Sequence, residues 1–204
     1  MNNQILKLGA IVFDNFELLD LFGPLEMFGI LKEKIEISLI SENNKIIAST
    51  QGPKIVSDIT FSQTPNLDIL LIPGGLGTRK EVNNNNLIDF IKATSKKVDY
   101  VATVCTGSAL LAKTGLLNKR NATTNKLAFD LVKNLNPDVN WILEARWVED
   151  ENFFTSSGVS AGIDMALGLI ERVFDKEIAE KVARLTEYIW NSNKDFDPFV
   201  NRCH

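Results

Sequence analysis

The stretch VDYVATVCTGSALLAKTGLL, residues 98–117, constrains the fold more than any other part of the chain. Val98, Val101, Thr103 and Val104 predict a strand, and Gly107, Ser108 and Ala109 lead into Leu110 and Leu111 at helical spacing, with Gly115 closing the helix. A strand that enters a helix through a sharp turn at Cys105 is the building unit of an α/β sheet. Two more apolar runs fit the same sheet: residues 5–13, and residues 67–72 (LDILLI), which end in Pro73-Gly74-Gly75-Leu76-Gly77. Strands alternating with helices predict an open, mostly parallel sheet with helices on both faces. In such sheets ligands bind outside the carboxyl ends of the strands.

The remaining elements are read from period and turn chemistry. Apolar residues recur at helical spacing from Phe16 to Leu31, with Gly23-Pro24 in the middle. Either a short turn precedes a helix with Pro24 at its first position, or one helix is kinked there. Residues 35–40 alternate as a strand and residues 45–48 form a second, short one; the two are expected as peripheral strands or a hairpin. Residues 51–65 are a loop-rich excursion. The asparagine run 83–86 is expected as a solvated loop, with helices at 87–95 and 126–134 and a short strand at 122–124. Strands at 141–148 and 152–155 predict a hairpin through Glu149-Asp150-Glu151, and helices are expected at 159–174 and 176–190. With 204 residues, 45% of them hydrophobic, the chain suits one domain spanning 1–204.

Charge and composition narrow the function. A net charge of −4 with scattered Lys and Arg argues against a nucleic-acid surface. The N-terminal apolar run is too short and too weakly basic for a signal peptide, and no segment reaches membrane-spanning length, so a cytoplasmic location without membrane contact is expected. Two cysteines, Cys105 and Cys203, make no disulfide framework; both are expected as reduced thiols, Cys203 on a frayed tail. Asn121-Ala122-Thr123 matches a glycosylation sequon but marks only a loop. The glycine turn after residue 72 has Lys80 where a dinucleotide fingerprint needs a third glycine, and no phosphate-loop Gly-Lys-Ser/Thr is present, which speaks against nucleotide binding.

Two residues stand out chemically. Cys105, at a strand-to-helix junction, is a candidate nucleophile whose thiolate the helix start would favour, lowering its pKa. The competing reading is a buried cysteine acting as a small inert hydrophobe. Asp20 lies between Leu19 and Leu21, where burial raises a carboxyl pKa unless a partner hydrogen-bonds it; the competing reading is a helix cap near Pro24. The only histidine is the last residue, His204, which disfavours a Cys-His dyad and a histidine-bound zinc. What remains is a cysteine beside a protonated carboxylic acid. Candidates for binding substrate or a developing oxyanion are Gly75, Leu76 and Thr106: the N–H groups of Gly75 and Thr106 would hold the charge, and the Thr106 hydroxyl would orient water or substrate.

Three spaced motifs carry a resemblance: the PGG turn, VCTGSALLAKTGLLNKRNATT, and FFTSSGVSAGIDMALGLIERVFD. Together they resemble the ThiJ/PfpI superfamily of intracellular protease/amidase-like proteins, over residues 5 to about 190. LLDLFGPLEMF and Cys-Thr-Gly-Ser are most similar to its isocyanide (isonitrile) hydratase branch, and the pattern also resembles the ligand domain of some AraC-type regulators. The resemblance implies a flavodoxin-like α/β sandwich of the class I glutamine amidotransferase type, a homodimer, and a small-molecule substrate with no metal or organic cofactor. It also implies Cys105 as nucleophile and Asp20 as its acidic partner. Many relatives carry histidine where this chain has Asn125, and members with protease or glyoxalase activity commonly carry it where this chain has Thr106. The function expected is hydration of an isocyanide to an N-substituted formamide. The alternatives are a non-catalytic ligand or oxidation sensor, and glyoxalase/deglycase or amidase/protease-like activity.

Overall fold

The computed structural model describes residues 5–43 and 46–200. Among these, the chain forms β1 (Leu6–Ile11), α1 (Leu18–Gly29), β2 (Ile35–Ser41), β3 (Ile46–Ala48), β4 (Lys54–Val56), β5 (Ile59–Thr60) and β6 (Ile69–Ile72). It continues with α2 (Thr78–Glu81), α3 (Asn85–Ser95), β7 (Tyr100–Thr103), α4 (Gly107–Lys113), β8 (Asn121–Ala122), α5 (Phe129–Leu135) and β9 (Asn140–Trp141). The last elements are β10 (Trp147–Asp150), β11 (Phe153–Ser156), α6 (Ala161–Val173) and α7 (Lys176–Leu185). The expectations placed on Cys203 and His204 lie outside the described residues, as does the one on Lys45.

Seven of these strands make one sheet in the order β10-β11-β7-β6-β1-β2-β5, parallel throughout except for the β10–β11 hairpin. β1, β6 and β7 lie at its centre, where Leu8, Ala10, Ile11, Ile69, Leu70, Leu71, Val101 and Ala102 are wholly buried. Strands covered on both faces need apolar residues at consecutive positions, which is why these runs do not alternate. The helices pack in two sets, α1 with α6 and α7, and α3 with α4 and α5. This is the mostly parallel, flavodoxin-like sandwich expected.

After β1 the chain adds β2 and β5 on one side, then crosses to β6 on the other. That reversal makes the carboxyl ends of β1 and β6 a topological switch point, the place where an α/β sheet opens a crevice. Asp14–Glu17 follow β1 there, and Pro73-Gly74-Gly75 follow β6.

Several expectations change. Residues 18–29 form one helix with Pro24 inside it; lacking an N–H, Pro24 leaves the Asp20 carbonyl without its helical donor. β2 and β3 do not form a hairpin with each other, because β2 pairs in parallel with β1 while β3 pairs with β4. The strand expected at 141–148 is split in two: Trp141 belongs to β9, which pairs with β8, and only from Trp147 does β10 lie alongside β11. Nor is the asparagine run merely solvated: Asn84 caps α3 through the Leu87 N–H and donates to Glu42 and Glu81. α7 ends at Leu185, and Tyr188 instead donates to Asp164 from the segment beyond it.

Candidate active site

Cys105 occupies the residue between β7 and α4 with φ +55, a left-handed conformation that a side chain adopts at a cost. The turn is pinned from every side. Its N–H donates to the Ser156 and Ser157 carbonyls at 3.2 Å each, and its carbonyl accepts from the Ser108 and Thr124 hydroxyls at 3.0 Å each. Surroundings that over-determine the backbone hold the thiol in place at the end of the sheet.

Asp20, in the first turn of α1, is wholly buried. Its Oδ2 accepts the Gly74 N–H at 3.0 Å, Oδ1 has no hydrogen-bond partner among the described residues, and the carboxyl lies beside the Cys105 thiol. Burial pushes the Asp20 pKa from 3.8 to about 8, helped by the nearby Glu17 charge and opposed by the Gly74 N–H and the thiol. The start of a helix favours a carboxylate by about 0.3–1 kcal/mol, less than one pKa unit, so burial wins. Asp20 is therefore mainly a carboxylic acid at neutral pH.

The thiol departs from expectation. With Cys105 only 6% exposed, burial and the adjacent Asp20 carboxyl push its pKa up, while the Thr106 N–H and the Asn125 side chain pull it down. The helix start alone does not outweigh the loss of water, and the resting group is a thiol. Sequence reading missed this because burial depth is a tertiary property.

Thr106 and Gly75 are also placed differently from expectation. The Gly75 N–H donates to Thr106 Oγ1 at 3.1 Å, and that hydroxyl also accepts from Thr78 at 3.0 Å and donates to the Gly75 carbonyl at 3.3 Å. The Gly75 N–H is thus engaged, as is the Thr106 hydroxyl; the main-chain N–H of Thr106 is the one that reaches the sulfur. Gly75 itself sits at φ +126, and a Cβ there would fall 2.5 Å from the Asn15 carbonyl and the Glu17 nitrogen, so the turn after β6 admits only glycine.

Cys105, Thr106, Gly75 and Leu76 open onto a cavity of about 600 Å³, with Glu17, Arg79 and Asn125 as its longer polar side chains. Leu76, Leu127, Leu131 and Leu135 form much of its wall and are exposed, Leu127 at 81%. Asn125 was marked from the sequence only as the place where many relatives carry histidine, and Glu17 and the α5 leucines were not identified as site-forming. The signal available was position: Asn125 follows a short strand, as Cys105 follows β7. Among the described residues, no group of three or more His, Cys, Asp or Glu side chains is placed to hold a metal ion, and no helix is long and apolar enough to cross a membrane.

Comparison with known proteins adds four findings. A sequence model described as the DJ-1/PfpI family matches residues 7–172. The chain is 32% identical over 183 residues to the isonitrile hydratase of Pseudomonas putida, covering 90% of this chain and 78% of that protein. It is 28% identical over 193 residues to the HTH-type transcriptional regulator GbdR of Pseudomonas aeruginosa, covering 92% of this chain but only 52% of the regulator. A crystal structure of a ThiJ/PfpI family protein from Pseudomonas syringae superposes with a TM-score of 0.84 at 29% identity, covering 96% of this chain and 77% of that one. The relatives thus include an enzyme and a regulator.

Proposed function

The chain belongs to the DJ-1/PfpI family, and from that premise we propose that it is an enzyme in which Cys105 hydrates an isonitrile to the N-substituted formamide. The observation that carries this reading is the contact between a buried thiol and a buried carboxyl that keeps its proton to about pH 8. Such a pair supplies a nucleophile and an acid without imidazole.

An isonitrile carbon accepts a nucleophile and must then be protonated. Sγ forms the S–C bond while Asp20 delivers its proton to that carbon and takes the thiol proton on its other oxygen. The product is a thioimidate, Cys105–S–CH=N–R. Water adds its oxygen to the same carbon and a proton to the nitrogen. Collapse forms the C=O bond and breaks C–S, and the hydroxyl proton returns to sulfur through Asp20, releasing R–NH–CHO. The Thr106 N–H favours negative charge on sulfur in both steps. The leucine walls suit an uncharged substrate with an apolar R group.

Incubation with an aryl isonitrile should yield the formamide, with Cys105→Ala at least about 10³-fold slower, as for loss of a covalent nucleophile. No formamide, or undiminished turnover by Cys105→Ala, would overturn the reading. A second reading, ligand binding without turnover, is favoured by the likeness to GbdR. Under it, an isonitrile would perturb the protein without giving any formamide.

A further inference from the structure

Asn125 is unusually constrained for a cavity residue. Its Oδ1 accepts the Ala128 N–H at 3.1 Å, which fixes the amide so that the NH2 end points the other way. That end lies against Gly158: a Cβ on Gly158 would fall 2.0 Å from Nδ2, closer than any real contact. Asn125 and Cys105 line the same cavity, and the Asn125 side chain pulls the thiol's pKa down. The backbone on either side is held as well. Thr124 Oγ1 donates to the Cys105 carbonyl at 3.0 Å, and buried Lys126 Nζ donates to Thr123 Oγ1 at 2.9 Å and to the Ala145 carbonyl at 2.7 Å. A half-buried amide that only filled space would not need a cap bond, an absent neighbouring side chain and two pinned flanks.

We propose that Asn125 is a catalytic hydrogen-bond donor to Cys105 Sγ, admitted by Gly158, a positioning residue, and aimed by the Ala128 N–H. The proposal rests on the reading of Cys105 as nucleophile. An amide does not titrate, so this donor serves sulfur equally at every pH, and it leaves Asp20 as the proton carrier of the pair. With Asn125 in place, sulfur has two donors from different elements, the Thr106 N–H at the start of α4 and the amide ahead of α5. Both favour sulfur while it carries negative charge, during attack and again when it leaves.

The test is the rate of alkylation of Cys105 by iodoacetamide as a function of pH on the full chain, followed upward in pH until the rate levels off and read at the Cys105 peptide by mass spectrometry. No substrate is needed. Removing a hydrogen bond to a charged group predicts, for Asn125→Ala, a midpoint about one pH unit higher and alkylation about tenfold slower below it. Asn125→Asp keeps the acceptor for Ala128 but places a carboxylate at the sulfur, and its midpoint should rise further. Gly158→Ala, which leaves Asn125 in the chain but blocks its place, should reproduce the Asn125→Ala midpoint. A purely structural role would change melting temperature or plateau rate and leave the midpoint alone. Wild-type midpoints in both Asn125 variants would overturn the assignment, whether or not Gly158→Ala folds. Shifted midpoints in a protein that hydrates no isonitrile would sink the hydratase reading and leave the donor in place.

Discussion

At Asp20, burial and hydrogen bonding pull in opposite directions, and the balance sets both activity and stability. The folded carboxyl keeps its proton to about pH 8, whereas the unfolded chain releases it near 3.8. Between those values the folded state holds more protons, so stability declines as pH rises. Asp20→Asn removes this slope. Its melting temperature should vary less than that of the wild type between pH 4 and 8, a comparison that thermal unfolding at several pH values makes directly. Hydration should fall as pH passes about 8 in the wild type, and Asp20→Asn should lose about 10²–10⁴-fold in rate, the usual weight of a general acid. A flat rate from pH 7 to 9 would remove Asp20 as proton carrier. At this scale much was legible: Leu19 and Leu21 around Asp20, and the glycines after Cys105, mark both residues. The direction of the thiol shift was not, because the carboxyl and the water-free setting arrive only with the fold.

Elements place these residues through three strand ends. β1, β6 and β7 are short apolar runs followed by turns, and each is readable because a centrally buried strand needs apolar residues at consecutive positions. The turn after β6 is the least tolerant of them. Gly75→Ala puts a Cβ against backbone atoms that are themselves hydrogen-bonded, Glu17 N–H to the Gly74 carbonyl and Gly77 N–H to the Asn15 carbonyl. A destabilisation of about 1–3 kcal/mol or more is expected, measured as a lower urea midpoint with an unchanged slope. Pairings were less legible than strands. Residues 35–41 and 46–48 both look like strands, but nothing local says that one joins β1 and the other β4. Residues 142–146 have the alternation of a strand but form none: the Ile142 N–H reaches the Ala122 carbonyl at one end, and at the other Arg146 donates to the Lys194 carbonyl and accepts from the Ser157 N–H.

Across the whole molecule, the segment beyond α7 is tied down by a buried ionic cluster. Arg146 bonds Asp164 through Nε and Nη2 at 2.6 Å each and lies 3.8 Å from Asp197, which is 3.9 Å from Lys126. Tyr188 and the Asn191 N–H close on the other Asp164 oxygen at 3.0 and 2.9 Å. Residues 126, 146, 164 and 197 share no pattern in sequence, so this cluster was invisible there. Arg146→Met leaves two buried carboxylates short of a cation and should cost about 3–5 kcal/mol in urea unfolding; because Lys126 adjoins Asn125, turnover should fall too. The central claim is that Cys105 adds to the isonitrile carbon with a carboxylic acid as its partner. It is tested most directly by rapid-quench mass spectrometry of the full chain mixed with excess aryl isonitrile. A transient gain equal to the whole mass of the isonitrile, mapped to Cys105 and absent from Cys105→Ala, is the expected result. Formamide appearing at the wild-type rate with no mass ever gained at Cys105 would contradict it.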